Sequence, residues 1–276
     1  MKEKILNFGK KLYHRFPILR PYMGFVHRHF IIKPKFSGWG MTTQHQLPWI
    51  NEYDDECFRK ACIDIKQNFE FTYNTADISH GNIDTLKWRH WIVSYSIRHA
   101  IEFTQSFNYN FVECGVGDGV TTFFALREIK KNKKTSENFT MHLYDSWSGM
   151  KQENLLKKEL TNIGRYSNLD IELTKKNLKE FQENLVFHQG HIPKTFSIPP
   201  KSPEKIIYLH IDLNSAIPTK AVLEFFFPKL IEGGIILFDD YGWDGYEDTK
   251  QIIDEFFSQK SGMVLKLPTG QAIYFH

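Results

Sequence analysis

The chain has 276 residues, of which 41% are apolar and 24% are charged. This composition indicates a globular protein and excludes collagen, coiled coils and disordered tails, and the length suits one large α/β domain with additions or two small domains. The net charge of +3 is uneven, because residues 1–35 carry +8 and the rest carries −5. The sequence therefore predicts a basic N-terminal arm on an acidic body.

The cysteines and the apolar runs indicate where the protein works. Cys57, Cys62 and Cys114 are odd in number and form no CxxC pair, so we expect neither disulfides nor a cysteine zinc site. No apolar run approaches the roughly 18–20 residues that cross a bilayer, and the N-terminus lacks a signal-peptide core. We therefore expect a cytoplasmic protein.

The first predicted element is a basic amphipathic helix within residues 1–20. Ile5, Phe8, Leu12 and Phe16 recur at near-helical spacing among lysines. Such a helix can lie on an anionic membrane, which would place the protein at the inner membrane face. The alternative is that it packs on the body or on a second subunit of a homo-oligomer.

An aromatic loop and two helices follow the arm. Residues 36–49 form the loop, a candidate lid or dimer contact, and the helices are predicted at Asp54–Asn68 and Asp84–Phe103. We assign residues 1–83 to an N-terminal extension and residues 84–276 to an α/β domain.

From residue 109, short apolar runs alternate with helical stretches, as in βαβ units. The predicted strands are Asn110–Cys114, Thr140–Tyr144, Leu185–His188, Ile206–Asp212 and Gly234–Phe238, and the predicted helices are Val120–Lys131, Asn177–Glu183, Lys220–Leu230 and Asp248–Gln259. A β-hairpin over residues 263–275 closes the chain. The predicted fold is a doubly wound, Rossmann-like parallel α/β sheet that ends in an antiparallel hairpin.

A glycine loop follows the first strand of this sheet. Gly115, Gly117 and Gly119 lie between Glu113, at the strand end, and a helix start, and Asp145 ends the next strand. Such a loop lets a ligand approach the backbone, and the second acid can bind a ribose. The spacing GxGxG, with Glu113 available to an ammonium group, favours S-adenosylmethionine over NAD. A tight turn without a ligand is the alternative.

Three carboxylates follow two later strands. Asp212 comes after one apolar strand, and Asp239 and Asp240 after the next. Ligands bind beyond the carboxyl ends of strands in open α/β sheets, and an all-oxygen set suits Mg²⁺, Mn²⁺ or Ca²⁺. A metal there would lower the pKa of a substrate hydroxyl. The alternative is that Asp239 caps a turn and Asp240 bonds to backbone N–H groups.

Five segments resemble the macrocin O-methyltransferase family of class I S-adenosylmethionine-dependent methyltransferases. They are residues 113–119, 144–149, 189–195, 209–214 and 230–242. The resemblance implies metal-dependent methylation of a sugar hydroxyl on a glycan, glycolipid precursor or glycosylated metabolite. It also implies these site residues: Glu113, Gly115, Gly117 and Gly119 on the methionine side, Asp145 on the ribose, Ser146, Trp147, Gly190 and His191 around the adenine, Asp212 beside the cofactor, and Asp212, Asp239 and Asp240 on the metal.

One position departs from that family. Much of the family has a second aspartate, the presumed general base, where this chain has Asn214, and an amide cannot accept a proton in that role. We expect Asn214 to orient the hydroxyl while Asp240 or Asp244 accepts its proton. The alternatives are a metal with another base, or a non-catalytic homologue that only binds the cofactor.

Other functions have weaker support. The chain lacks HExxH, GxSxG and GxxxxGK[ST], so zinc peptidase, hydrolase and P-loop functions are disfavoured. The lysine run at residues 130–134 is typical of a solvated helix end, and we expect no nucleic-acid partner. An NAD-dependent sugar oxidoreductase or epimerase remains the main alternative.

Overall fold

The computed structural model describes residues 53–72, 83, 86–105 and 109–276. The predicted basic helix and the aromatic loop lie outside these residues. Within them, no helix is both long and apolar enough to cross a membrane. The described residues all belong to one compact unit, which spans residues 50–276.

A seven-stranded sheet with helices on both sides forms the body. The helices are α1 (Tyr53–Asn68), α2 (Lys87–Phe103), α3 (Val120–Lys131), α4 (Ile171–Asn177), α5 (Ala216–Phe226) and α6 (Glu247–Phe257), and the strands are β1 (Tyr109–Cys114), β2 (Phe139–Asp145), β3 (Leu185–Gln189), β4 (Ile206–Ile211), β5 (Leu230–Phe238), β6 (Val264–Lys266) and β7 (Ala272–Phe275). The order is β3-β2-β1-β4-β5-β7-β6. The first five strands are parallel, and β7 is antiparallel to both β5 and β6, which confirms the predicted fold.

The core follows from the apolarity of the central strands. All six residues of β4 are buried, as a parallel strand covered on both faces requires. The helix α1 packs on α3. The ring centroids of Phe58 and Phe124 are stacked 5.1 Å apart, and Arg127 Nη2 lies 2.8 Å from Asp64 Oδ2. This helix therefore packs on the body through α3.

Two predicted helices are misplaced. Where a helix is predicted at Asn177–Glu183, α4 ends at Asn177 and a 3₁₀ segment follows at Lys179–Asn184; α4 begins earlier because the Asp170 side chain caps it by accepting from the Glu172 N–H at 2.9 Å. The helix predicted at Lys220–Leu230 begins instead at Ala216, after Ser215 in extended conformation, and Leu230 already pairs with Ile206 as the start of β5.

A pair of buried histidines makes the fold sensitive to acid. His142 Nδ1 and His188 Nε2 lie 3.0 Å apart, and burial lowers the pKa of each ring to about 4. Both rings stay neutral in the folded state but charge near pH 6.5 when unfolded. The unfolding free energy should therefore fall as the pH drops from 6.5 towards 4, by up to about 1.4 kcal/mol per pH unit for each ring.

Denaturant unfolding at several pH values checks this, with the double variant His142→Leu/His188→Phe as the comparison. The variant should lose most of this acid-side slope. An unchanged slope would show that other groups set the acid limit.

Candidate active site

Backbone hydrogen bonds carry the ladder of the sheet one residue beyond the strand ends. The Asp212 N–H donates to the Cys114 carbonyl at 2.8 Å, and the Asp239 N–H donates to the Ile211 carbonyl at 2.9 Å. On the other side, the Gly115 N–H donates to the Tyr144 carbonyl at 2.8 Å. The residues after β1, β4 and β5 therefore lie side by side, as the sequence predicted.

A cavity of about 470 Å³ opens above these strand ends, within the usual range for small-molecule sites. Most of the predicted site residues line it. They are Gly115, Gly117, Asp145, Ser146, Gly190, His191, Asp212, Asn214, Asp239 and Asp240, together with Asp244. Glu113, Gly119 and Trp147 do not line it.

Asp145 organises the glycine loop. One carboxylate oxygen accepts from the N–H groups of Val116 and Gly117 at 2.8 and 2.9 Å, and the other accepts from the Trp147 N–H at 2.8 Å. The first oxygen, Oδ2, uses both lone pairs on these two N–H groups, but Oδ1 has a second lone pair, so the carboxylate can still accept from a ribose hydroxyl. The position is that predicted for a ribose-binding acid.

Glu113 lies behind the loop and not at the cavity surface. It is 1% exposed, and its oxygens accept from the Thr122 hydroxyl at 2.5 Å and face His210 Nδ1 at 3.2 Å. These contacts tie β1 to the first turn of α3 and to β4. The predicted contact with the cofactor ammonium group stays a prediction, and the described contacts of Glu113 are structural.

Trp147 is buried beneath the glycine loop and contacts it through its indole N–H. Its indole N–H lies 2.9 Å from the Thr174 hydroxyl and 3.2 Å from the Gly117 carbonyl, and its side chain is buried against Phe187. By contrast, His191 lines the cavity and lies 3.2 Å from the Ser148 hydroxyl. Of the predicted adenine-side residues, Ser146, Gly190 and His191 therefore have the exposure that a direct contact needs.

At the other end of the cavity, an arginine lies between two of the predicted metal ligands. Arg89 Nε donates to Asp239 Oδ1 at 2.7 Å, and its Nη2 donates to Asp212 Oδ2 at 2.7 Å and also to Asp239 Oδ2. Gln271 Nε2 donates to Asp239 Oδ1 at 3.0 Å. The side chains of His210, Asp212 and Asp239 are close enough to share one ion, and the guanidinium of Arg89 places a positive charge between the two aspartates.

The three aspartates differ in their electrostatics. Burial and the charge of Asp239 raise the pKa of Asp212 to about 6, against the opposing effect of Arg89. Burial would also raise the pKa of Asp239, but Arg89 and His210 hold it below its usual value. Burial, followed by the charges of Asp212 and Asp239, raises the pKa of Asp240 well above its usual value. Asp240 therefore holds a proton more readily than a free aspartate does.

Asn214 is held in one orientation by four hydrogen bonds. Its Oδ1 accepts from the hydroxyls of Tyr166 and Tyr246 at 3.0 and 2.6 Å, and its Nδ2 donates to Asp212 Oδ1 at 3.1 Å. Its backbone N–H donates to Asp240 Oδ2 at 2.8 Å. Burial and the nearby charge of Asp240 raise the pKa of Tyr246 to about 12, so its hydroxyl keeps its proton. The amide is therefore fixed for orienting a ligand.

Sequence reasoning missed Arg89, Tyr166, Tyr246 and Gln271. The tyrosines and the glutamine come from segments that the fold, and not a motif, brings to the strand ends. A signal existed for Arg89, which lies in the first turn of α2, where the helix dipole disfavours a cation and no acidic residue is present. A cation placed there needs a carboxylate from elsewhere.

Comparison with known families decides the class of the enzyme. Residues 112–241 match a family model described as a methyltransferase domain. The protein is an S-adenosylmethionine-dependent methyltransferase. The match begins in β1, ends just after β5, and so contains the glycine loop, Asp145 and the three aspartates. It confirms the predicted enzyme class, while the narrower macrocin family stays a prediction.

Solved structures agree on the fold of this methyltransferase. The O-methyltransferase NovP superposes with a TM-score of 0.64 at 15% identity, over 81% of this chain and 98% of NovP. The calicheamicin methyltransferase CalS11 gives a TM-score of 0.55 at 14% identity, over 87% of this chain and 99% of CalS11. No curated protein matches in sequence. At these identities, the likeness establishes the fold alone.

Proposed function

We propose that this methyltransferase transfers its methyl group to a hydroxyl oxygen of a sugar-containing acceptor. The observation that carries the proposal is that one cavity contains both the glycine loop and Asp145, after β1 and β2, and Asp212, Asn214 and Asp240, after β4 and β5. The first group suits the cofactor, and the second offers the carboxylates and the amide that hold hydroxyl groups.

The residues present fit S-adenosylmethionine. Gly115 and Gly117 offer close backbone approach, Asp145 retains acceptor capacity for the ribose, and Gly190 and His191 border the region predicted for the adenine. When bound, the cofactor supplies a methyl group on a sulfonium: the O–C bond forms as the S–C bond breaks, and the bonding pair stays on sulfur.

The chain's own residues then handle the proton. Asn214 is fixed for orienting the acceptor hydroxyl, and Asp240 has a raised pKa and one oxygen, Oδ1, that accepts no hydrogen bond from a residue within the described ranges. The hydroxyl proton therefore passes to Asp240 as the oxygen attacks. This assigns the base without an aspartate at position 214.

A sugar acceptor is supported by the rim of the cavity. Trp243 is 48% exposed, lines the cavity and rests against Gly270, where an added Cβ would lie 2.7 Å from the indole nitrogen. A fixed aromatic face beside hydroxyl-binding groups suits the apolar face of a sugar ring. CalS11, a structural neighbour, is itself named a calicheamicin methyltransferase.

Two measurements test this function. Calorimetry with S-adenosylhomocysteine and with NAD should show binding of the first alone, and Asp145→Ala should abolish it. Radiolabelled methyl transfer should then be screened against nucleotide sugars and glycan precursors, with matched acceptors that lack free hydroxyls as controls. Binding followed by transfer to a nitrogen or carbon acceptor would overturn the hydroxyl specificity.

Three further points remain proposals: the extension at residues 1–83, its contact with an anionic membrane through residues 1–20, and homo-oligomer formation. The charge of +8 on residues 1–35 supports the membrane contact.

A further inference from the structure

The site between Asp212 and Asp239 already contains a positive charge. We propose that the guanidinium of Arg89 replaces, in this chain, the divalent cation that the sequence predicts, so that the active site works without a metal. The inference rests on the proposed function for the reaction that Arg89 assists. For the charge itself, it rests on the contacts of Arg89.

All four carboxylate oxygens of Asp212 and Asp239 already accept hydrogen bonds. Asp239 presents both oxygens to Arg89 in a bidentate pair, and Gln271 donates to one of them. Asp212 gives one oxygen to Arg89 and the other to the amide of Asn214. Planar bidentate pairing is the geometry in which arginine binds carboxylates best. A metal would have to displace these donors and push Arg89 away from them.

Asp240, the third predicted ligand, is engaged differently. It accepts the backbone N–H of Asn214 through Oδ2, and it is absent from the group of side chains that could share one ion. That group instead contains His210, whose Nδ1 faces Glu113 and whose ring is fully buried. The predicted set of three aspartates therefore does not converge on one point, and the residues do not fit the metal as they stand.

Burial makes the arginine pairing hard to give up. The side chain of Arg89 is 18% exposed and that of Asp239 is 5% exposed. Removing one member of a buried ion pair leaves an uncompensated charge, which is strongly destabilising. The neighbouring His90 is buried and stacks on Phe124 at 4.8 Å, which fixes the first turn of α2 in place. The position of Arg89 is thus set by the core.

Arg89 also has donors left for a ligand. It lines the cavity, and its Nη1 donates no hydrogen bond to another residue in the part of the chain that the structure describes. An N–H on a cation can bind the acceptor hydroxyl oxygen and stabilise the negative charge that grows on it as Asp240 takes the proton. A divalent metal at this position would stabilise the same negative charge.

The test measures metal binding separately from methyl transfer. The purified full-length protein, saturated with S-adenosylhomocysteine, is titrated with MnCl₂ and followed by the loss of the free Mn²⁺ paramagnetic signal, and the same is done with Arg89→Met. We expect no saturable Mn²⁺ site in the wild type. Arg89→Met should bind Mn²⁺ at one site at least about tenfold more tightly than any residual binding to the wild type, a difference of about 1.4 kcal/mol. Saturable one-to-one binding to the wild type would overturn the proposal.

Arg98→Met is the matched control. Arg98 lies on the same helix and pairs with the buried Glu128 at 3.2 Å, away from the cavity. It should gain no Mn²⁺ site. If Arg89→Met does not fold, Arg89→Lys takes its place. Lysine keeps the positive charge but cannot form the planar bidentate pair with Asp239, so this variant should show neither a Mn²⁺ site nor normal methyl transfer. A strong Mn²⁺ site in Arg89→Lys would contradict the proposal.

The activity arm uses the chelator EDTA. Wild-type transfer should be unchanged in excess EDTA, and a chelator-sensitive wild type would contradict the role of Arg89. If no acceptor is ever methylated but the wild type still binds no Mn²⁺, the proposed function fails while the assignment of the charge to Arg89 stands.

Discussion

Gly115→Ala should prevent the protein from folding stably. An added Cβ at Gly115 would lie 1.7 Å from the Asp212 carbonyl oxygen, which is backbone and cannot swing aside, and the φ of +90° disfavours any side chain. Because β1 and β4 are neighbours in the sheet, relief would require their carboxyl ends to separate. We expect a loss of at least about 4 kcal/mol of unfolding free energy, or no soluble protein, measured by urea unfolding.

Gly117→Ala is the matched control. It lies in the same loop with a φ of +55°, and its added Cβ would meet nothing within 4 Å. Only left-handed strain remains, so the cost should be about 1–2 kcal/mol. If Gly115→Ala and Gly117→Ala lowered the unfolding free energy equally, the left-handed conformation of the loop, and not the contact with Asp212, would be what requires glycine.

Asp240→Asn should lower methyl transfer by about 10²-fold or more while binding of S-adenosylhomocysteine stays unchanged. The amide oxygen can still accept the Asn214 N–H, so the loop geometry survives, but the amide cannot take the hydroxyl proton. The rate of the wild type should rise with pH as Asp240 loses its own proton, and this limb should be missing in the variant. Initial rates across pH under saturating substrates measure both effects.

Asp244→Asn separates the two candidate bases. Asp244 also lines the cavity, but the backbone contact with Asn214 belongs to Asp240. We expect Asp244→Asn to change the rate by less than about threefold, a barrier change below about 1 kcal/mol. The reverse pattern, with Asp244→Asn inactive and Asp240→Asn active, would move the proton acceptor to Asp244.

The sheet could be predicted from the sequence because each of its signals is local. Apolarity over residues 206–211 identifies a strand buried on both faces, and a glycine loop before an apolar helix marks the start of α3 at Val120. The predicted boundaries of α4 and α5 are wrong because local backbone features set where each helix begins. Asp170 caps α4 and Ser215 is extended just before α5, and the apolar pattern contains neither signal.

The candidate site could be predicted only where strand ends supply it. Asp145, Asp212, Asp239 and Asp240 follow strands directly, and parallel topology alone brings them to one edge of the sheet. Arg89 reaches the same place from a helix that precedes the sheet, 123 residues from Asp212. No spacing rule joins such residues, so the contact of Arg89 with these aspartates could not be predicted from the sequence.

The extension of the ladder beyond the strand ends separates the site into two parts with different tolerance for change. The aspartates on its floor are anchored through main-chain N–H groups, and replacing a neighbouring side chain does not release them. The rim, which includes Met150, Arg165 and Trp243, comes from turns, bends and irregular segments outside the sheet. An engineer who wants a new acceptor should therefore randomise the rim and leave the strand ends alone, since selectivity and chemistry are carried by different pieces of the chain.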